Sequence, residues 1–458
     1  MKVTALNSLY KPTDIAVGSA RSCYFGKNIV TPESAAGWEK KNDLLNSIFK
    51  AGHHTTLMHY HFTFLIEGMS RLLIWRLLHS HPFYNSEQVS QRYAKMKIDN
   101  FTYPKNCDKS KWQQYYQKMF EYYEKLIELL TPEIEKILPK FKKKEANKRA
   151  QEFARYLLPL GMNAHLYHTI NVITALRYIA SIKSIPEAKD EAEDFAKQIE
   201  REMLKIDKDL APLIDFAKNA PSKFPEINIE KIKKEKNIKK DVEVFDIVDY
   251  DFELNENYAG VLRLSNIWLD ESILGSFNSY IKLSLSADAQ NQRHRRSPAV
   301  RAKLEDIYKR DFYIPPIIKG EGRGEKVDEN KELLNLYKEA VKYSYEFFES
   351  EKEVLGFSEA AYALLNAHNI EIIEHDDFNE FAHKAQMRLC YNAQEEIFDI
   401  TYKQVKALKE KGVKAAEKFL PPCTIRKMQN IKPVCPEGDR FCGVKVWKLD
   451  FYEYERLI

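Results

Sequence analysis

The densest group of polar side chains in this 458-residue chain is Gln290-Asn291-Gln292-Arg293-His294-Arg295-Arg296. A guanidinium is a planar fork of donors that matches phosphate with two parallel hydrogen bonds. The cluster is therefore either an anion clamp or an exposed basic segment. The preceding YIKLSLSADA (280–289) alternates like a strand or enters a helix, and either would fix these side chains. A second group, Ser90-Gln91-Arg92-Tyr93 after Asn85-Ser86-Glu87-Gln88, mixes hydroxyl, amide and guanidinium, which suits a phosphate or a sugar. A third, GHHTTLMHYHF (52–62), holds His53, His54, His59 and His61. These lack the H-E-x-x-H spacing of a zinc hydrolase and read as core groups rather than ligands. The fourth is Cys423, Cys435 and Cys442 in PPCTIRKMQNIKPVCPEGDRFCG, with Cys390 upstream. Four thiolates complete a tetrahedral zinc site, and CPEG…CG resembles the turn of a zinc knuckle; free buried thiols are the other reading.

Composition narrows what these groups serve. Seventy-one Lys and Arg against sixty-seven Asp and Glu leave a net charge of +4, too little to coat nucleic acid or an anionic membrane. No apolar run approaches the roughly 18–20 residues of a membrane span, and MKVTALNSLYKPTD lacks a signal-peptide core. Six cysteines in a chain this long are no disulfide scaffold. Only fifteen glycines are present, with neither a P-loop nor a strand followed by G-x-G-x-x-G. Any bound nucleotide must be held by side chains. The expectation is a cytoplasmic protein of two or more domains, with no nucleic-acid or membrane partner.

The elements that must position these groups are mostly helices. Residues 111–137, 187–209 and 331–352 carry apolar residues at three- and four-residue spacing. HFTFLIEG (61–68) and FDIVDYDFEL (245–254) read as strands. The stretch 218–242, with two prolines and a run of lysines, reads as a solvated linker rather than a binding arm. The chain on either side of it has the same layout. Each half runs from short β segments through an Arg/His-rich stretch and a long helix to a polar helix in an apolar frame, over 158–182 and 363–390. Arg155 falls over Ala361 and Asn171 over Asp377 at one offset of 206, which suggests an internal duplication.

SARSCYFG (19–26), GHHTTLMHYHFTFLIEGMSR (52–71) and SQRY (90–93) resemble successive motifs of the flavin-dependent thymidylate synthases. ARYLLPL (154–160) and TIN (169–171) are close to that family's A-R-x-x-L-P and T-x-N. The second half supplies QNQRHR (290–295), similar to Q-x-x-R-H-R, and Arg388 followed by Ala393-Gln394-Glu395-Glu396-Ile397. The likeness covers nearly the whole chain as two family domains in tandem. It implies an α+β fold of two pseudo-symmetric domains, each a mostly antiparallel sheet with long helices: residues 1–217, a linker 218–242, residues 243–420, and a Cys-containing tail 421–458.

The departures from the family pattern are complementary. The first half keeps Ser90 and Arg92 but has His79-Ser80-His81 where R-H-R belongs. The second keeps Arg293-His294-Arg295 but has RSPAVRAK where S-x-R-Y belongs. Arg155 is matched by Ala361, and Arg388 by Ile182. A dead copy loses residues at random, so this division favours an active enzyme whose sites need both halves. The resemblance implies reductive methylation of dUMP to dTMP with methylenetetrahydrofolate, FAD and NADPH. It places Gln88, Ser90, Arg92, Arg155, Gln290, Arg293 and Arg388 on dUMP, Arg388 also activating the uracil. FAD falls to His59, Asn171, Arg293, His294, Arg295 and His383. Zinc would be held by Cys390, Cys423, Cys435 and Cys442, and two chains would rebuild the family's four-domain shell as a homodimer. Two rivals stay open: a related flavoenzyme on another pyrimidine nucleotide, and a silent nucleotide- or flavin-binding regulator.

Overall fold

The computed structural model describes every residue except 7–8, 26–27, 82, 93, 95, 139, 251–273, 322–329 and 457–458; Tyr93 of SQRY and the end of the 245–254 strand reading lie outside the described residues. Among the described residues, eight strands form two four-stranded sheets. The first holds β1 (Lys2–Ala5), β2 (His61–Ser70), β3 (Tyr84–Gln88) and β4 (Asn163–Asn171) in the order β1-β2-β4-β3. The second holds β5 (Val242–Asp249), β6 (Gly275–Ser284), β7 (Ala299–Arg301) and β8 (Asn369–Asp377) in the order β5-β6-β8-β7. All pairings are antiparallel. The sheets are thus two copies of one α+β design. Eight helices matter here: α1 (Lys109–Ile137), α2 (Val172–Ser181), α3 (Lys189–Ile206), α4 (Leu285–Asn291), α5 (Lys331–Leu355), α6 (Phe378–Arg388), α7 (Glu395–Glu410) and α8 (Pro422–Met428).

Alternation makes the strands. In β2, Phe62, Phe64 and Ile66 are buried, and in β4 Ala164, Leu166, His168 and Ile170 are; residues of period two line one face. That same alternation corrects the expectation of a helix throughout 158–182 and 363–390. Each stretch is a strand that turns into a helix, β4 into α2 and β8 into α6, because His165, Tyr167 and His375 face out between buried neighbours.

The halves meet about a pseudo-two-fold axis. Pro159 pairs with Leu365, its own mate at the offset of 206. The Leu160 N–H donates to the Leu364 carbonyl and the Asn366 N–H to the Leu158 carbonyl. Likewise Gly161 donates to Tyr362 and Ala367 to Tyr156. Each bond is the symmetry mate of the other. The long helices α1 and α5, capped alike by Asp108 and Asn330, lie across the same axis. Trp112 meets Glu351 and Tyr122 meets Glu339, so they run antiparallel. Tyr115 stacks on Phe347 with ring centroids 4.0 Å apart. Each such buried side chain contributes about 1.5–3 kcal/mol, and most belong to one core that spans both halves.

The stretch 218–242 is more than a solvated tether. Residues Ile229–Glu235 form a short helix whose Ile229 is buried with Tyr280 and Ala302 of the second half. Its lysines stay on the outside, Lys233 pairing with Glu371. Among the described residues no helix is long and apolar enough to cross a membrane.

Candidate active site between the two halves

The strand-to-helix junctions after β2 and β6 are built identically. Ser70 caps its turn, and its N–H and hydroxyl both donate to Glu191. Ser284 caps α4 and donates both to Glu396. Each carboxylate also accepts from a tyrosine of the opposite half: Tyr362 to Glu191, Tyr156 to Glu396. These brackets aim Arg71 from one side and Gln290–Arg295 from the other at the seam.

One cavity of about 140 Å³ lies there. It is lined by Gln88, Ser90, Arg92 and Arg155 of the first half and by Gln290, Arg293 and Arg388 of the second. All seven residues assigned to dUMP by sequence therefore share one space within a single chain. Arg71 joins them, making five guanidinium groups around the cavity. Their charges oppose one another. Burial, Arg92 and Arg293 push Arg388 down to about 9, and burial with Arg155 pushes Arg71 down to about 10. The groups stay cationic at neutral pH, so the cavity gathers buried positive charge that suits an anion. Buried Arg155 leaves Nε and Nη2 without a partner, as does Arg71 its Nε.

Each group is held from behind. Arg388 Nε donates to His294 Nε2 at 2.9 Å and its Nη2 to the Gln290 carbonyl at 2.8 Å. Burial and the surrounding cations keep His294 well below the usual histidine pKa, so its neutral ring accepts from Arg388 while Nδ1 faces Glu380 at 3.8 Å. Arg92 is fixed by Glu152 at 3.1 Å and by the Asn392 carbonyl at 2.8 Å. The Ser90 hydroxyl accepts from the Arg92 N–H, leaving its own hydrogen to donate. Gln88 accepts from Arg71 through Oε1, leaving its amide N–H groups. Gln290 donates to Gln394, which donates to Tyr156; Gln290 Oε1 has no partner.

A second cavity of about 540 Å³ adjoins the first, sharing Trp75 and His79 with it. His294 and Arg295 line this one, with Phe224, Val300 and His81. His79 Nε2 and Gln292 Oε1 are buried there without partners. Aromatic and aliphatic walls with a few open polar atoms fit the ring system of a flavin. His383 stands beside His294, ring centroids 5.9 Å apart. Three of the flavin assignments, His383, Asn171 and His59, line neither cavity. Asn171 is buried as the cap of α2, its Oδ1 accepting from the Thr174 N–H, because a strand-to-helix junction needs an acceptor there. His59 is exposed at the end of the His54–Met58 turn, lining neither cavity.

The sequence reading missed Arg71, Glu152 and Asn392. Glu152 stands one helical turn before Arg155, a spacing that pairs side chains, and was legible. Asn392 acts through its backbone carbonyl, which side-chain type does not reveal.

The family model described as "Thymidylate synthase complementing protein" matches residues 5–207 and 274–411, and the chain belongs to that family. A flavin-dependent thymidylate synthase of Clostridium tetani is 27% identical over 214 residues, covering 45% of this chain and 83% of that protein. One of Pyrococcus furiosus is 28% identical over 231 residues, covering 48% and 86%. A solved flavin-dependent thymidylate synthase of Helicobacter pylori, complexed with FAD and dUMP, aligns at a TM-score of 0.35 and 20% identity over 47% of this chain and 99% of that one.

Proposed function

We propose that this chain is a flavin-dependent thymidylate synthase that methylates dUMP to dTMP, using methylenetetrahydrofolate for carbon and NADPH as reductant. The observation that carries this reading is the convergence on one cavity of the residues each half kept, where the partner half had lost its own. Relatives that bear the enzyme's name support it.

The phosphate falls to Arg92, Arg155 and Ser90, two guanidinium groups and a hydroxyl that suit a dianion. Gln88 and the free Oε1 of Gln290 meet the polar edges of sugar and base. Arg388 is braced by His294 and the Gln290 carbonyl, and presents a fixed positive charge to the N3/O2 edge of uracil. Preorganised charge of this kind favours the polarised base without reorganisation. Arg293, His294, Arg295 and His383 would hold FAD, which when bound supplies the hydride. Two chains would rebuild the four-domain shell as a homodimer, the exposed His59 then meeting flavin across copies.

Visible absorption of the purified chain tests for flavin. Tritium release from 5-labelled dUMP with methylenetetrahydrofolate and NADPH tests the reaction, and release from labelled UMP alone would point to the other pyrimidine nucleotide. Arg388→Ala is expected to keep the flavin bands and lose roughly a hundredfold or more in kcat; near-normal turnover would overturn its role.

A further inference from the structure

One group of reactive side chains lies outside both cavities. Cys390 follows α6, Cys423 sits in the first turn of α8, and Cys435 and Cys442 flank a loop that Gly438 and Gly443 turn back with φ of 53° and 94°. These three stretches of chain bring all four thiols to the wall of one small pocket of about 20 Å³. None is in a disulfide. The remaining walls combine Pro421, Pro422, Phe441 and Val446 with the polar Asn392 and Glu437. A cavity that size holds one water-sized body, and four sulfur donors around it select a soft, tetrahedral ion. Among the described residues no group of three or more His, Cys, Asp or Glu stands ready-made to hold a metal. Capture therefore has to draw the thiols inward, each losing its proton to solvent, as structural zinc sites do when they form.

We propose that Cys390, Cys423, Cys435 and Cys442 bind one structural zinc ion, and that this ion braces the nucleotide cavity. The bracing follows from what hangs on the same stretch of chain. Cys390 lies two residues after Arg388 and two before Asn392. The Asn392 carbonyl holds Arg92, its Oδ1 accepts from Arg149 at 3.2 Å, and its Nδ2 donates to the Arg440 carbonyl at 2.7 Å, inside the Cys435–Cys442 loop. A metal that joins this loop to Cys390 fixes Asn392 from two sides, and through it the guanidinium of Arg92. The metal site stands on the cysteine cluster alone; the brace rests on the reading of Arg92 as a phosphate ligand.

Elemental analysis of the full chain purified from zinc-supplemented cells is expected to give one zinc per chain. Cobalt exchanged into the site is expected to show thiolate charge-transfer bands and the intense visible bands of tetrahedral cobalt. The double variant C435S/C442S is expected to lose the metal. Because zinc content and cobalt spectra are read on the unchanged chain, misfolding of the variant leaves the test intact. Substoichiometric zinc, with all four thiols reacting with a thiol reagent in the folded chain, overturns the site. Stripping the metal with a chelator is expected to weaken dUMP binding about tenfold, the scale for groups that orient a ligand-bearing residue. Unchanged affinity in the stripped protein overturns the brace and leaves the metal.

Discussion

Arg155 points two unpartnered nitrogens into a space it shares with four other guanidinium groups. In the free protein that arrangement is a cost, since burial and Arg92 both oppose its charge. Arg155→Ala should therefore leave the melting temperature of the free protein unchanged or raised. It should also weaken dUMP by roughly 10–100-fold, the loss of a charge-assisted hydrogen bond. A fall in stability with unchanged affinity would mark Arg155 as structural. Glu152 shows the opposite balance. Although burial opposes its charge, Arg92, Arg456, Arg149 and Arg155 bring its pKa down to about 2 from 4.5. A carboxyl depressed on folding contributes stability that is complete above 4.5 and is lost as pH falls toward 2, about 3 kcal/mol here. Acid titration of stability should flatten across that window in Glu152→Gln; an unchanged slope would place the acid sensitivity elsewhere. At this scale the seven residues that share the cavity were legible through the family motifs that carry them. The backbone carbonyl that aims Arg92 carries no such signature.

The elements show why two halves were needed. The Ser70–Glu191–Tyr362 and Ser284–Glu396–Tyr156 brackets are copies, yet only Tyr156 also accepts from Gln394, the partner of Gln290. Both Tyr156→Phe and Tyr362→Phe should cost about 1–3 kcal/mol of stability, a buried acceptor being left unmet. Only Tyr156→Phe should also lower kcat/KM for dUMP, through the loosened Gln290. Equal kinetic effects would show that the brackets serve stability alone. The long helices and β2 were readable from their periodicity. The strands β4 and β8 were not, because each runs without a turn into a helix whose apolar spacing dominates a window spanning both. The mirrored bonds at Pro159 and Leu365 use backbone atoms, so only the constant offset of 206 hinted at the axis.

At the scale of the whole molecule, a pseudo-two-fold axis demands a second place equivalent to the nucleotide cavity, and its charges decide whether nucleotide binds there. Arg155 and Arg388 are replaced by Ala361 and Ile182. The strand registers set Gln88 opposite Leu166 and Arg301 opposite Ile372, making Arg301 the mate of Gln88 and Glu305 the mate of Arg92. Two basic groups that remain, Arg76 and Arg301, are already neutralised. Arg76 binds Glu187 at 2.5 and 2.9 Å and lies between Trp75 and Phe224, while Arg301 binds both oxygens of Asp288 at 2.7 Å. A phosphate entering there would have to break one of these buried pairs. Breaking such a pair costs about 3–5 kcal/mol, more than a single phosphate contact returns. Calorimetric titration of the full chain with dUMP should therefore saturate at one nucleotide per chain, and Arg155→Ala should weaken that single event rather than reveal another. Two equivalent nucleotides per chain would mean that the halves had not divided the site between them.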